Sequence, residues 1–165
     1  MTSSDKKSQA QARFGAFAQG YVTSATFHTG PDLGQMLAMA QPQAHWQMLD
    51  VATGGGHTAL SFAPHVRHVT ASDLTHRMLL AAHDHITKEG ASNITFSCAD
   101  AENLPFASGL FDLVTCRIAL HHFTDVYRFF VECSRVLKSG GVLLIQDHLA
   151  PDDKKASNYR TAFET

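Results

Sequence analysis

Apolar residues recur at spacings of three and four in the opening third of the chain. They fall at Phe14, Phe17, Ala18 and Tyr21, and again at Leu33, Met36, Leu37 and Ala40, which predicts two helices separated by Gly30-Pro31. From Trp46 the texture changes to short β-like runs alternating with amphipathic stretches, the signature of βαβ units around a parallel sheet. Strands are predicted over 47–52, 66–72, 93–98, 111–117 and 141–147. A helix is expected from about His57, and another from His76 to Lys88, capped by Thr75 and stopped by Gly90. Val126, Phe129, Phe130, Cys133, Val136 and Leu137 form the apolar face of a third, which Gly140-Gly141 is expected to end. The alternation predicts an α/β fold with a doubly wound, mostly parallel sheet.

Residues 1–44 are accordingly expected to form a helical cover, 45–150 the ligand-binding core, and 151–165 a polar helical tail that opens on Pro151-Asp152-Asp153-Lys154-Lys155. With 165 residues, 44% hydrophobic and 17% charged, the chain suits one domain with an adequate core. A net charge of -2 and the absence of a Lys/Arg run argue against nucleic-acid and membrane partners and favour a small-molecule ligand. No apolar stretch approaches the roughly 20 residues that cross a bilayer, and the polar start, 1–11, lacks the apolar segment of a signal peptide, so a cytoplasmic protein is expected. Cys98, Cys116 and Cys133 are odd in number and set in apolar stretches, as packed, reduced thiols would be. Eleven histidines invite a metal, but none lies on a zinc-binding spacing; His83 and His85, two apart on a predicted helix, point to different faces, and no metal is expected.

The chemistry concentrates at Thr53-Gly54-Gly55-Gly56, a turn between the first predicted strand and its helix, where glycines let backbone pass close beneath a ligand. Gly54-Gly55-Gly56-His57-Thr58-Ala59 fits the dinucleotide pattern G-x-G-x-x-G/A of Rossmann-like folds, and Asp73 follows at the spacing of a ribose-binding acid. An NAD-dependent oxidoreductase therefore remains open at this point. Asp50 weighs against it, because a carboxylate beside the turn repels a pyrophosphate and favours a cationic ligand such as the sulfonium of S-adenosylmethionine. Asp73 can accept two ribose hydroxyls, and Asp100 the exocyclic amine of adenine. Asp50, Asp73 and Asp100 occupy three successive strand ends, which a parallel sheet gathers on one edge.

Leu49-Asp50-Val51-Ala52-Thr53-Gly54-Gly55-Gly56 resembles the first motif of class I S-adenosylmethionine-dependent methyltransferases. Ala99-Asp100-Ala101-Glu102-Asn103-Leu104-Pro105-Phe106 and Phe111-Asp112-Leu113-Val114 resemble their stretch around the third and fourth strands, and Arg135-Val136-Leu137-Lys138-Ser139-Gly140-Gly141 is similar to the turn before their fifth. The resemblance covers residues about 45 to 150 and is strongest to the type 11 branch that includes ubiquinone and menaquinone C-methyltransferases. Ala52 stands where the family more often has glycine, and Ser139 where it often has proline. The resemblance implies a Rossmann-like fold and methyl transfer to a small-molecule acceptor. It also implies a cofactor site in which Gly54 and Gly56 line the methionine part, Asp73 holds the ribose, Asp100 and Ala101 frame the adenine, Leu74 and Met78 pack on it, and Arg117 lies beside it. A noncatalytic S-adenosylmethionine-binding domain is the further alternative.

A base is needed only where the acceptor must lose a proton. His121 and His122, after the fourth predicted strand, and Tyr21 and His28, in the helical cover, are the candidates. The resembled fold continues past the fifth strand, so the sheet is expected to be truncated there. Its apolar edge is then expected to be covered by a C-terminal segment or by a second copy in a homodimer.

Overall fold

The strands pair in parallel, and every connection between them carries a helix or a long crossover. The computed structural model describes residues 3–23 and 31–148. Two helices, α1 (Ser3–Thr23) and α2 (Pro31–Ala40), precede the sheet. Acidic residues sit in their first turns, Asp5 and Asp32, where they complement the helix dipole. There follow β1 (Gln47–Val51), α3 (His57–Phe62) with a 3-10 turn at Ala63–His65, β2 (His68–Asp73), α4 (His76–Lys88) and β3 (Ile94–Cys98). After β4 (Phe111–Arg117) and a 3-10 turn at Leu120–His122 come α5 (Val126–Val136) and β5 (Leu137–Gln146).

The strand order is β3-β2-β1-β4-β5, all parallel, so the chain steps outward to β3 and then returns to the other side of β1. The order reverses between β1 and β4, and the carboxyl ends of both strands open on the crevice this creates. This is the Rossmann-like α/β architecture that the alternation predicts. Period-two alternation sends Met48 to one face of the sheet, with Met36, Phe62 and Ile86, and Leu49 and Val51 to the other, with Phe129, Cys133 and Val136 of α5. Phe111 and Leu113 share a parity yet pack on opposite faces, because the register shifts between them.

Several local expectations are corrected. Gly140-Gly141 does not end α5; the helix stops at Val136, where Gly109 and Leu110 donate to the carbonyls of Arg135 and Val136, and both glycines fall inside β5. Leu137 thus belongs to the strand, and Val126 and Phe130 are exposed rather than part of the buried face. Phe17 is likewise exposed, while its neighbour Ala18 is buried. Thr75 occupies the cap position of α4, but its side chain makes no capping bond; its own N–H goes to Asp73 Oδ1 at 2.8 Å. Cys98 is exposed, whereas Cys116 and Cys133 are buried, and burial raises the Cys133 thiol to about 12. No helix among the described residues is long and apolar enough to cross a membrane. The predicted tail, 151–165, lies outside the described residues.

The third glycine of the turn is needed for packing. Gly56 has φ +83, and a Cβ there would lie 2.8 Å from Ile86 Cδ1 and 3.3 Å from Ala82 Cβ. Gly56→Ala is expected to cost about 3 kcal/mol through left-handed strain and overpacking against α4. Chemical denaturation of the two chains measures this; equal midpoints would mean that α4 yields without cost.

Candidate functional site

A cleft of about 1070 Å³, its open mouth included, lies over the carboxyl ends of the strands. Its floor is the turn after β1, its walls come from the segments after β2, β3 and β4, and its roof is α1. Of the residues singled out in the sequence, Gly54, Asp73, Leu74, Met78, Asp100, Ala101, Arg117, Tyr21 and His122 line it. Asp50, Gly56 and His121 do not, and His28 lies outside the described residues.

Asp73 ends β2 with its carboxylate in the cleft wall. Its Oδ2 accepts the Gly54 N–H at 3.1 Å and its Oδ1 the Thr75 N–H at 2.8 Å, so the group ties the glycine turn to the start of α4. Each oxygen keeps a lone pair for a ligand hydroxyl. Burial raises its carboxyl above the usual carboxylate range, against the pull of these backbone donors.

Asp50 lies one layer deeper, with 1% exposure. Its two oxygens accept from the hydroxyls of Thr53 and Thr115 at 2.7 Å each. Thr115 faces it directly, since Asp50 pairs with Thr115 in the β1–β4 register. Burial pushes the Asp50 carboxyl up to about 6, although the hydroxyls and the charge of Arg117 favour the ionised form. Arg117, at the end of β4, donates from Nε to Asp32 Oδ2 and so fixes α2 beside the crevice. Burial works to raise Asp32, but the guanidinium holds it below the ordinary carboxylate range.

Asp100 follows β3. Its Oδ1 accepts the Glu102 N–H at 2.9 Å, and its Oδ2 accepts from Lys7 Nζ at 2.6 Å. Lys7 and Glu102 were not predicted as site residues, yet both line the cleft. Glu102 also accepts the N–H groups of Thr124 and Asp125 at 2.7 and 3.0 Å, joining the β3 and β4 loops. Burial works to raise its carboxyl, and Lys7 with the loop donors holds it lower. A helical period carried back from Tyr21, Ala18 and Phe14 reaches Gln11 and Lys7, so the signal for Lys7 was present in the spacing. His57, also missed, lines the cleft and sits 3.1 Å from the Tyr21 carbonyl through Nε2.

After β4, His122 reaches the cleft and packs edge-on against Phe14, with ring centroids 5.0 Å apart. His121 points away toward Asp147, with Nδ1 2.8 Å from Oδ1, and its ring lies 3.9 Å from that of His122. Burial works to raise Asp147, while the His148 N–H and the His121 ring hold it below the usual range. Two non-glycine residues at the crevice, Ala52 and Ile118, have left-handed φ of 55 and 52. Both line the cleft, and such strain persists only where surrounding structure enforces it. The arrangement can accept hydrogen bonds from hydroxyls at Asp73 and from an amine edge at Asp100, and can seat a flat apolar group against Leu74 and Met78.

The methyltransferase domain family matches residues 49–145, which contain the glycine turn and the acids at the carboxyl ends of β1, β2 and β3. YcgJ of Bacillus subtilis strain 168, named an uncharacterized methyltransferase, is 41% identical over 140 residues, covering 85% of this chain and 55% of that protein. The crystal structure of YcgJ has a TM-score of 0.73 over 80% of this chain and 56% of that one, at 39% identity. The demethylmenaquinone methyltransferase of Porphyromonas gingivalis is 33% identical over 158 residues, 91% of this chain and 64% of that protein. Phosphoethanolamine N-methyltransferase 2 of Haemonchus contortus, solved in complex with S-adenosyl-L-methionine, is 25% identical with a TM-score of 0.73, over 90% of this chain and 36% of that one. The chain spans about half the length of the curated relatives it matches. Strand order, crevice, glycine turn and family match agree, and the chain belongs to the methyltransferase domain family.

Proposed function

We propose that this chain is the cofactor-binding core of a methyltransferase that takes a methyl group from S-adenosylmethionine and delivers it to a small-molecule acceptor. The observation that carries the reading is the pair of carboxylates flanking the glycine turn. Asp73 occupies the Gly54 N–H, and Asp50 lies beneath Thr53. A pyrophosphate over that turn would meet both negative charges, whereas a cationic sulfonium is attracted by them. The bound S-adenosylmethionine in the Haemonchus contortus structure supports the same choice.

In this reading residues 45–150 are the core, and residues 1–44 supply the cover. Asp73 holds the ribose hydroxyls. Asp100 and the backbone of Ala101 take the adenine edge, with Leu74 and Met78 against its face. Gly54 leaves room for the methionine part, and Arg117 stands beside it. Asp50 acts from below as a buried negative charge, and Gly56 acts through packing. When bound, the cofactor supplies a methyl group on a positive sulfur, open to in-line displacement by a nucleophile. The protein's task is then alignment and exclusion of water. Phe14, Tyr21 and His122 supply an aromatic wall at the mouth for the acceptor. Where the acceptor carries a proton, His122 is placed to take it, with the His121–Asp147 pair behind it fixing the ring it packs on. Three unbridged thiols suit a reducing cytoplasm.

Calorimetric titration should show binding of S-adenosylmethionine and S-adenosylhomocysteine and none of NAD. Asp73→Ala should weaken both by about 10- to 100-fold, the worth of one or two charge-assisted hydrogen bonds. Binding of NAD alone would reject the reading.

Asp50 adds a pH signature. Its carboxyl rises from the ordinary 3.8 to about 6 in the folded chain. Between those values the folded state holds a proton that the unfolded state has released, so stability falls as pH rises through this window. The loss is on the order of 3 kcal/mol from this group. Denaturation midpoints from pH 4 to 8 should show this slope in the wild-type chain and not in Asp50→Asn; parallel profiles would mean that Asp50 is ionised throughout.

A further inference from the structure

The cleft is roofed by a helix that scarcely belongs to the core. The buried residues of the two main clusters come from the sheet, the helices beside it and the loops at its edge. α1 instead rests on a small third cluster, Ala18 with Met78 and Ala81, to which Phe14, Tyr21 and Val22 are added. All of these α1 residues lie in its second half. A segment docked on so few apolar contacts opens at a small fraction of the global unfolding free energy. The first half, which carries the roof over the adenine side, is held by polar contacts. Lys7 Nζ lies 2.6 Å from Asp100 Oδ2 and 2.7 Å from Glu102 Oε2, and Gln11 Nε2 donates to the Leu74 carbonyl at 3.0 Å.

We propose that Lys7 is a positioning residue of the cleft: clasped between Asp100 and Glu102, its ammonium latches the first half of α1 across the mouth and slows the escape of a bound cofactor. The proposal rests on the S-adenosylmethionine reading above. An isolated surface ion pair would be too weak for this role, because side-chain entropy and solvent screening offset most of its attraction. Here both acceptors are already fixed. Asp100 is oriented by the Glu102 N–H, and Glu102 by the N–H groups of Thr124 and Asp125, so closing the latch orders only the lysine. Lys7 is 23% exposed, Asp100 29% and Glu102 8%, so the contact is sheltered on the Glu102 side and half open on the Asp100 side. The second half of α1 remains the pivot, seated on α4 and joined to the glycine turn through His57 and the Tyr21 carbonyl.

The latch leaves Asp100 able to do both tasks. Each carboxylate oxygen has two acceptor positions, so occupation of Oδ2 by Lys7 and of Oδ1 by a backbone N–H still leaves lone pairs for an amine edge. Lys7 also halves the charge of the Asp100–Glu102 pair. The adenine side then holds one net negative charge instead of two and competes less with the glycine turn for the cationic end of the cofactor.

The test compares wild type, Lys7→Met and Lys7→Arg by stopped-flow dissociation of S-adenosylhomocysteine and by hydrogen exchange of α1. Lys7→Met should release the ligand about tenfold faster, the effect of losing roughly 1.4 kcal/mol of latch. Lys7→Arg should restore most of the wild-type rate. Wild-type release should quicken toward about 1 M salt, where the Debye length is about 3 Å, and Lys7→Met should not respond. Without ligand, amides around Lys7 and Gln11 should exchange faster in Lys7→Met, and those around Ala18 should not change. Wild-type rates and unchanged exchange in Lys7→Met would overturn the proposal. Failure of the wild-type chain to bind S-adenosylhomocysteine would instead sink the cofactor reading and with it the retention role, while the exchange data would separately decide whether Lys7 holds the helix.

Discussion

Asp50 stands at the crevice between β1 and β4, and the site is arranged around the way its charge is accommodated. A carboxylate at 1% exposure is costly unless its oxygens are hydrogen-bonded. Here one oxygen is satisfied from the glycine turn by Thr53 and the other from the neighbouring strand by Thr115. The two strands at which the order reverses are thereby joined at the level where the cleft begins. The turn cannot drift from β4 without leaving a buried charge short of a partner. Arg117 extends the arrangement outward, its charge acting on Asp50 and its Nε bound to Asp32 at the head of α2. One buried acid thus couples the turn, the sheet and part of the helical cover.

The fold was legible because its signals are periodic. Alternating strands and helices predict the parallel sheet, and the predicted limits of β4 and α4 agree with the structure. Errors gathered where tertiary contacts replace local chemistry. Gly140-Gly141 looks like a helix stop, but the last carbonyls of α5 are taken by Gly109 and Leu110, a partner some 26 residues away that no local pattern reveals. Thr75 is a good capping residue, but its side chain hydrogen-bonds Asp73 instead of capping α4, and its N–H goes to the same carboxylate. Phe17 and Phe130 are apolar residues on the outer sides of helices, and composition alone does not distinguish an outward phenylalanine from an inward one.

The candidate site divides in the same way. Asp73, Asp100 and Gly54 fall in the cleft because strand ends in a parallel sheet share an edge, which is a property of topology and can be reasoned from sequence. Asp50 and Gly56 belong to the same motif but act from behind the surface, one through its charge and one through its lack of a side chain. A motif records which residues a turn requires without separating those that touch a ligand from those that support the ones that do. Lys7, Glu102 and His57 were overlooked for the opposite reason. The spacing of α1 puts Lys7 on its inner face, but its contacts with Asp100 and Glu102 and that of His57 with the Tyr21 carbonyl exist only once α1 crosses above the sheet, and Glu102 is fixed further by the distant loop donors Thr124 and Asp125.

The balance of charge in the cleft follows from how its cations are held. Arg117 is bound to Asp32 and lies near Asp50, and Lys7 is bound to Asp100 and Glu102. Arg117 and Lys7 therefore each neutralise acids of the protein itself, and Lys6 is a third cation in the lining. Among the described residues no basic side chain is bonded to Asp73; it is held by the backbone N–H groups of Gly54 and Thr75 and by the Thr75 side chain. Asp73 and the buried Asp50 thus place negative charge beside the glycine turn. A phosphate-bearing ligand meets repulsion at the point where the backbone approaches most closely, and a ligand with a cation and a pair of hydroxyls meets acceptors for both. In this chain a glycine turn common to several cofactor classes is flanked by Asp50 and Asp73, and in the proposed reading those two acids, more than the glycines, give the turn its preference for a cationic ligand.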